Sequence, residues 1–464
     1  MQDVVGAEVI EAGASRVTTA AAKAPGGTGG LANAPTSLPA RSLGGDLGDR
    51  IGHPRMRIYT TRGAYSRVAM EMLTGRWRSG DAVGALERAI ESRVETRHAI
   101  AMPMARTAIY HAVKALIAPG QKVVLSPYTI ADVVNMVICA GGVPVFADLE
   151  PGHVNVSASE IESLVDAETG AVMVTHFYGE ACDITRIAAF CKARGVPLIE
   201  DAAQAFGVKV DGRQLGTFGD VGIFSFGMYK YVNAFYGGML ITNRDDVAAA
   251  VRAAIADAPV ESAGRYLSKV KHGLMTDVLT WPPVFRSFTF RLFRWAYLNG
   301  VESITNKTKI DIAPQMLREM PAAYLHQMSP LQARLILSQL DGVADALAKR
   351  IAHAQRYHDG LQGLPGLILP PLRLDGSHGY AYYCIHFEDR ARLVRFAQTH
   401  GRDIQESYHR NCAALDCFSA FARHCPNAEK VAASVIYVPS YPRYPVAEVD
   451  RTIAVIRRFF EADA

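Results

Sequence analysis

The sequence predicts an α/β protein: a large domain built on a mostly parallel sheet flanked by helices, followed by a smaller α+β domain. Three observations lead there. Short apolar runs, "KVVLSPY", "VPVFADL", "GAVMVTH" and "VPLIEDA", are each bounded by Gly, Pro or polar residues. Helical patterns such as "ITRIAAFCKARG" lie between them. Strands without polar alternation, alternating with helices, are the signature of βαβ units whose sheet is covered on both faces. Finally, 464 residues with 49% hydrophobic content are enough for more than one lobe.

Residues 1–50, rich in Ala, Gly, Ser and Pro, bury too little apolar surface to offset ordering entropy and are expected to form a disordered tail. The large domain is expected over 51–325. Residues 326–358 read as one long linking helix opened by Ser329-Pro330, since proline is tolerated in a first helical turn. They begin the small domain, 326–464, with strand candidates "GYAYYCIHF" and "VIYVPSY" and a closing helix "VAEVDRTIAVIRRFFEA". An odd segment, about 264–312, interleaves Trp281, Phe285, Phe288, Phe290, Phe293, Trp295 and Tyr297 with Arg286, Arg291 and Arg294, and Pro282-Pro283 is expected to break it.

Bulk numbers exclude several classes. A net charge of +4 without a long basic run argues against a nucleic-acid partner. Seven scattered cysteines without a CxxC pair fit a reducing, cytoplasmic setting. The N-terminus lacks the pattern of a secretory signal, and no apolar run reaches the roughly 18 to 20 residues of a membrane span. No metal site is expected: His409 and Cys412 have no second ligand pair at zinc spacing.

In parallel sheets, ligands sit at the carboxyl ends of strands. Three features fall there: Asp201, with Gln204 three residues on; Ser225 followed by Lys230; and "ARTAIYHAVKAL", a helix opening near Thr107. A helix start offers free N–H groups to a phosphate, and Ser225 could add a hydroxyl. A buried lysine is cheapest uncharged, and a neutral amine is a nucleophile toward carbonyls. A strand-end aspartate complements a pyridinium nitrogen. Together these describe a site for pyridoxal 5'-phosphate. Singly each is weak, since a helix opening at Thr is usually only a cap and a lone lysine usually snorkels to the surface.

Their order and spacing, in "EDAAQAFGVKVDGRQLGTFGDVGIFSF" with Lys230 and Gly237-Gly238 following, resemble the DegT/DnrJ/EryC1/StrS family of sugar aminotransferases, over about 65–250 strongly and 326–460 more loosely. The resemblance implies a fold type I aminotransferase in which Lys230 carries the cofactor covalently, Asp201 pairs with its ring nitrogen and Gln204 lies near its ring oxygen. Ser225 and the amides of Arg106 and Thr107 would hold the phosphate. His176 and Tyr178, in "THFYG", match a strand end beside the cofactor, with a catalytic contact for His176 set against plain core packing. The family implies glutamate as donor, a keto sugar, usually nucleotide-linked, as acceptor, and a homodimer.

Several residues depart from the family pattern. Ala105-Arg106-Thr107 stands for the usual "SGT", Tyr231 for an Asn after the lysine, and Leu325 and Gln327 where residues often reach a neighbouring subunit. Tyr128 is a candidate for stacking on the cofactor ring, with a loop role as the alternative. The aromatic-basic segment is either packed on the enzyme's own body, as a lid or seam, or in peripheral contact with a membrane or lipid. A different ketone, such as a cyclitol or a lipid- or carrier-linked intermediate, and a catalytically silent regulator remain as alternatives. The intact lysine argues against the silent regulator and against the dehydratase branch, which has histidine there.

Overall fold

The computed structural model describes residues 50–58, 61, 63–306 and 312–462. The tail expected over 1–50 lies, apart from Arg50, outside them. Helices α1 (Ala64–Leu73) and α2 (Ala82–Val94) lead into β1 (His98–Met102), α3 (Ala105–Leu116), β2 (Lys122–Leu125), β3 (Tyr128–Thr129), α4 (Ala131–Cys139) and β4 (Val143–Phe146). Then come α5 (Ala158–Leu164), β5 (Thr169–Thr175), α6 (Ile184–Arg194), β6 (Leu198–Asp201) and a small hairpin of β7 (Lys209–Val210) and β8 (Arg213–Gln214). Strands β9 (Val221–Ser225) and β10 (Gly238–Thr242) and helices α7 (Asp245–Ile255) and α8 (Ala263–Leu279) follow.

The main sheet has the order β1-β10-β9-β6-β5-β2-β4. Strands β4, β2, β5, β6 and β9 run parallel, and β10 and β1 each pair antiparallel with their neighbours. Every residue of β5 and of β6 is buried, which is why these runs show no polar alternation. The smaller sheet joins β11 (Tyr383–His386), β14 (Val435–Val438) and β12 (Gln405–Glu406), backed by helices Arg390–Thr399 and Val446–Glu461. One further pairing, β3 with β13 (Arg410–Asn411), stitches the small domain to the large one beside the parallel strand ends.

The single helix expected over 326–358 is in fact two, Pro330–Leu337 and Val343–Leu361, separated by a 3-10 turn at Leu340–Gly342. The start is as read: Ser329 and Gln332 form a reciprocal capping box. The break coincides with Gln339, whose side-chain amide donates to the Leu335 and Asn233 carbonyls while its oxygen accepts from Asn233 N. That side chain thus pins the loop that follows Lys230.

The aromatic-basic segment packs on the protein's own body. Proline does break it: α8 ends at Leu279, and after Pro282-Pro283 a π-helical turn, Phe285–Thr289, runs into the helix Phe290–Leu298. Phe285 and Phe290 are buried with Ile51. Tyr297 donates to Glu406 at 2.9 Å, Arg286 bonds to the Gly52 carbonyl and His53, and Arg294 is buried. Arg286 and Arg294 therefore do not form an outward basic face. Trp281 and Phe288 remain exposed, as do Leu267, Leu274, Met275 and Val278 of α8. No helix among the described residues is long and apolar enough to cross a membrane.

Candidate active site

Register brings the expected residues to one edge of the sheet. Thr175 at the end of β5 lies beside Asp201 at the end of β6, Asp201 beside Ile223, and Ser225 at the end of β9 beside Gly238, which in turn faces Met102 at the end of β1. Helix α3 starts just past Met102, so its first amides stand next to Ser225. A 5.4 Å helical pitch leaves the first turn's N–H groups without intrahelical acceptors, and here they open on the strand ends.

Gly238 makes this juxtaposition possible. A Cβ there would lie 2.5 Å from the Met104 carbonyl carbon and 2.6 Å from Ala105 N. Gly238 therefore permits close approach of α3 to the sheet. On the departing residues, Arg106 points away: its guanidinium bonds to Asp132 of α4 and, at 2.8 Å, to the Tyr324 hydroxyl. Thr107 donates to the Tyr324 carbonyl at 3.1 Å. Both side chains lock α3 in place, leaving their backbone amides to the cup, so arginine can replace the family's glycine without putting a second cation on the phosphate.

Lys230 is half-buried, with Gly227 positioned between its stem and Ser225: a Cβ on Gly227 would lie 3.7 Å from Ser225 Oγ and 3.8 Å from Lys230 Cγ. Burial lowers the proton affinity of its amine, and Asp201 partly offsets this. Asp201 is buried and accepts from Ala203 N at 3.0 Å. Burial raises its pKa, against the Ala203 amide, Lys230, His176 and Thr175. A buried carboxylate held above its usual range gains from a cation placed against it, as a pyridinium would be. Gln204 is oriented by Tyr178 N, which donates to its side-chain oxygen at 3.0 Å and leaves its NH2 group to donate elsewhere. The donor set thus fits pyridoxal phosphate. The state of Lys230 gives a test: the rate at which cofactor-free protein takes up pyridoxal phosphate should rise with pH and half-titrate below 10.5, the ordinary lysine value. In Asp201→Asn the midpoint should fall further, because the carboxylate is what favours the ammonium; a midpoint unmoved or raised in a stopped-flow pH series would contradict this assignment.

His176 and Tyr128 lie deeper than Lys230. His176 is fully buried, with Nε2 3.1 Å from Glu200 Oε2 and Nδ1 3.5 Å from Cys182 Sγ. Burial disfavours its charge, but Cys182 and Glu200 outweigh that and raise its proton affinity. Glu200 also accepts from Gly216 N at 2.9 Å and Gly219 N at 2.6 Å, so the pair ties the "GTFGD" loop beneath the Asp201 strand. This geometry supports packing and positioning for His176. Tyr128 is fully buried, its ring 5.0 Å from Phe177 and 5.8 Å from His409 and tilted against both.

Tyr128 belongs instead to a buried hydroxyl network that residue spacing did not reveal. Tyr128 and Tyr178 hydroxyls lie 2.8 Å apart, Ser407 Oγ is 3.0 Å from Tyr128 and 2.9 Å from Tyr437, and Tyr437 is 2.6 Å from His409 Nδ1. Burial and the Lys230 charge depress His409 to about 3, so the ring is neutral. The network joins both domains behind the lysine, and Tyr178 enters it from a left-handed backbone conformation, φ 56°. Tyr231 is held under Arg350, its hydroxyl in the space where side chains on Gly179 or Gly379 would fall. Gln327 donates to the Ile255 and Ala256 carbonyls, closing α7 of its own chain. Glu200, Ser407 and Tyr437 carried no local signal; only the tertiary fold brings them together.

A parallel sheet with an amine, a carboxylate and an amide cup at adjacent strand ends defines the class: an α/β enzyme of the aminotransferase kind. The family model for DegT/DnrJ/EryC1/StrS aminotransferases matches residues 63–280 and 298–457. A spore coat polysaccharide biosynthesis protein, SpsC, of Bacillus subtilis is 30% identical over 323 residues, 69% of this chain and 72% of its own length. GDP-perosamine synthase of Caulobacter vibrioides is 24% identical over 418 residues, 87% of this chain and 98% of its own. Among solved structures, the Helicobacter pylori aminotransferase PseC, involved in pseudoaminic acid biosynthesis, superposes with a TM-score of 0.69 at 15% identity, over 89% of this chain and 100% of its own, a likeness of fold. The chain belongs to the DegT/DnrJ/EryC1/StrS aminotransferase family.

Proposed function

We propose that this protein binds pyridoxal phosphate through Lys230 and transfers an amino group from glutamate to a nucleotide-linked keto sugar. The observation that carries the reading is the convergence of Lys230, Asp201 and the α3 amides with Ser225 on one edge of the sheet. When bound, the cofactor would supply the carbonyl that exchanges for the amino group and the ring that accepts the electron pair. The protein's own residues do the rest. Lys230 would hold the cofactor and, with its amine free, would move the proton taken from the donor's α-carbon. Asp201 keeps the ring nitrogen protonated. Ser225 and the amides of Ala105, Arg106 and Thr107 anchor the phosphate, and Gln204 donates toward the ring oxygen. His176 and Glu200 fix the loop beneath these groups.

The name of the Caulobacter relative, a GDP-perosamine synthase, supports a nucleotide-linked sugar. We expect two copies to associate: Leu267, Leu274, Val278 and Trp281 lie outward along and just beyond α8 at spacings of seven, four and three, an apolar stripe suited to a second chain. The test is spectroscopic. Protein with pyridoxal phosphate should show the absorbance of the lysine-bound cofactor, glutamate should discharge it, and a panel of nucleotide-linked keto sugars should restore it. A band that no amino donor discharges would overturn transamination, and restoration only by a cyclitol or carrier-linked ketone would change the acceptor.

A further inference from the structure

The strap 50–58 and residues 281–297 both lie outside the family match. Although more than 220 positions apart, they pack on each other. Ile51 is buried against Phe285 and Phe290, and Arg286 bonds to the Gly52 carbonyl and, at 3.1 Å, to His53 Nδ1. The strap is fastened beneath to the small domain: Gly52 N donates to Gly401 O at 2.9 Å, and Arg55 N to Asp403 at 2.8 Å. Glu448, bonded to Arg402 at 2.7 Å, completes the anchor. Such a clasp fixes the direction in which the strap leaves the small domain.

It leaves toward the catalytic lysine. Arg57 reaches α8, where its guanidinium is 3.9 Å from Asp277, a carboxylate already bonded at 2.7 Å by the Tyr65 hydroxyl. Tyr229, the residue before Lys230 and 39% exposed, lies within the electrostatic reach of Arg55 and Asp277. Arg55 is committed to Asp403 at 2.5 Å, yet Nε of both Arg55 and Arg57 is buried without a hydrogen-bond partner among the described residues. A guanidinium N–H held out of water without an acceptor is costly, and its fork geometry matches a phosphate or carboxylate.

We propose that Arg57, supported by Arg55, forms an oxyanion subsite at the mouth of the active site, held in place by the strap and the 281–297 segment. The shared chemistry is an oxyanion carried by a substrate: a phosphate of the amino acceptor, or the side-chain carboxylate of the donor. This rests on the aminotransferase reading above, and its consequence is specificity. Arg57 discriminates between substrates by charge, while Lys230 and Asp201 run the chemistry.

The test uses the holoenzyme, whose phosphate cup is filled, and two variants, Arg57→Gln and Arg57→Lys. Inorganic pyrophosphate binding is followed by calorimetry, and the glutamate half-reaction by loss of the lysine-bound band. If the acceptor's phosphate is the ligand, pyrophosphate binds wild type and is weakened by about tenfold or more in Arg57→Gln, less in Arg57→Lys, with the glutamate response unchanged. If the donor's carboxylate is the ligand, the glutamate concentration for half-maximal discharge rises by a similar factor and pyrophosphate does not compete. Unchanged binding and discharge in both variants, with only a lower melting temperature, would overturn the subsite and leave Arg57 a clamp. Failure of wild type to react with any amino donor would count against the aminotransferase reading, while the pyrophosphate arm still decides the subsite.

Discussion

Lys230→Ala abolishes the absorbance of the lysine-bound cofactor and lowers glutamate-driven turnover by on the order of a thousand-fold or more, because one side chain supplies both the covalent attachment and the proton transfer. The expected stability change runs the other way. Burial disfavours the Lys230 ammonium and only Asp201 offsets it, so truncation removes a group whose charge the fold does not favour. The melting temperature of the cofactor-free protein should therefore not fall, as is common where function keeps a costly group. Removing the amine also takes a positive charge away from Asp201 and His409, both of which its field lowers. Asp201 should then bind a proton more readily than in wild type. A large loss of stability in Lys230→Ala, measured by calorimetry without cofactor, would show that the amine holds the loop, and the catalytic reading of its burial would be wrong.

The sequence made legible whatever follows from local pattern. Continuous apolar runs announced the parallel strands because both faces of the sheet are covered, and Asp201, Ser225 and Lys230 could be placed because strand ends follow those runs. Ser329-Pro330 announced a helix start, and the helix does open there, with Gln332 completing a capping box. What escaped depends on long-range partners. Gln339 lies where the linking helix breaks, bonded to a loop more than a hundred residues earlier. Arg106 stands where the family has glycine, and Asp132 and Tyr324 hold its side chain in a way that nothing near position 106 could have said. The tyrosine, serine and histidine hydrogen bonds behind Lys230 join residues from four separated stretches, so no spacing encodes them. The aromatic-basic segment has the composition of a surface-seeking helix, and only its contacts with Ile51, His53 and Glu406 reveal that it closes on the protein itself.

Gly238→Ala is expected to be the most damaging substitution that removes no functional group. The added methyl would lie 2.5 Å from the Met104 carbonyl carbon, 2.6 Å from Ala105 N and 2.6 Å from Met104 O, all backbone atoms at the start of α3. No side-chain rotation relieves such a contact. Relief requires α3 to shift away from β10, and both are buried, so the cost is about 1–3 kcal/mol of stability. The shift would also carry the Ala105, Arg106 and Thr107 amides away from Ser225, and these are the groups proposed to form the phosphate cup. Pyridoxal phosphate affinity should accordingly fall by about tenfold or more through lost charge-assisted hydrogen bonds. Pyridoxal without its phosphate, which makes no use of the cup, should bind the variant and the wild type alike. Gly264→Ala is the control: it lies in α8 with nothing within 4 Å of the added carbon, and a helical Gly-to-Ala change there should stabilise by up to about 1 kcal/mol. Equal losses for the phosphorylated and unphosphorylated aldehydes in Gly238→Ala would mean that the strain spreads to Lys230 itself, and that α3 is not the separate phosphate anchor its geometry indicates.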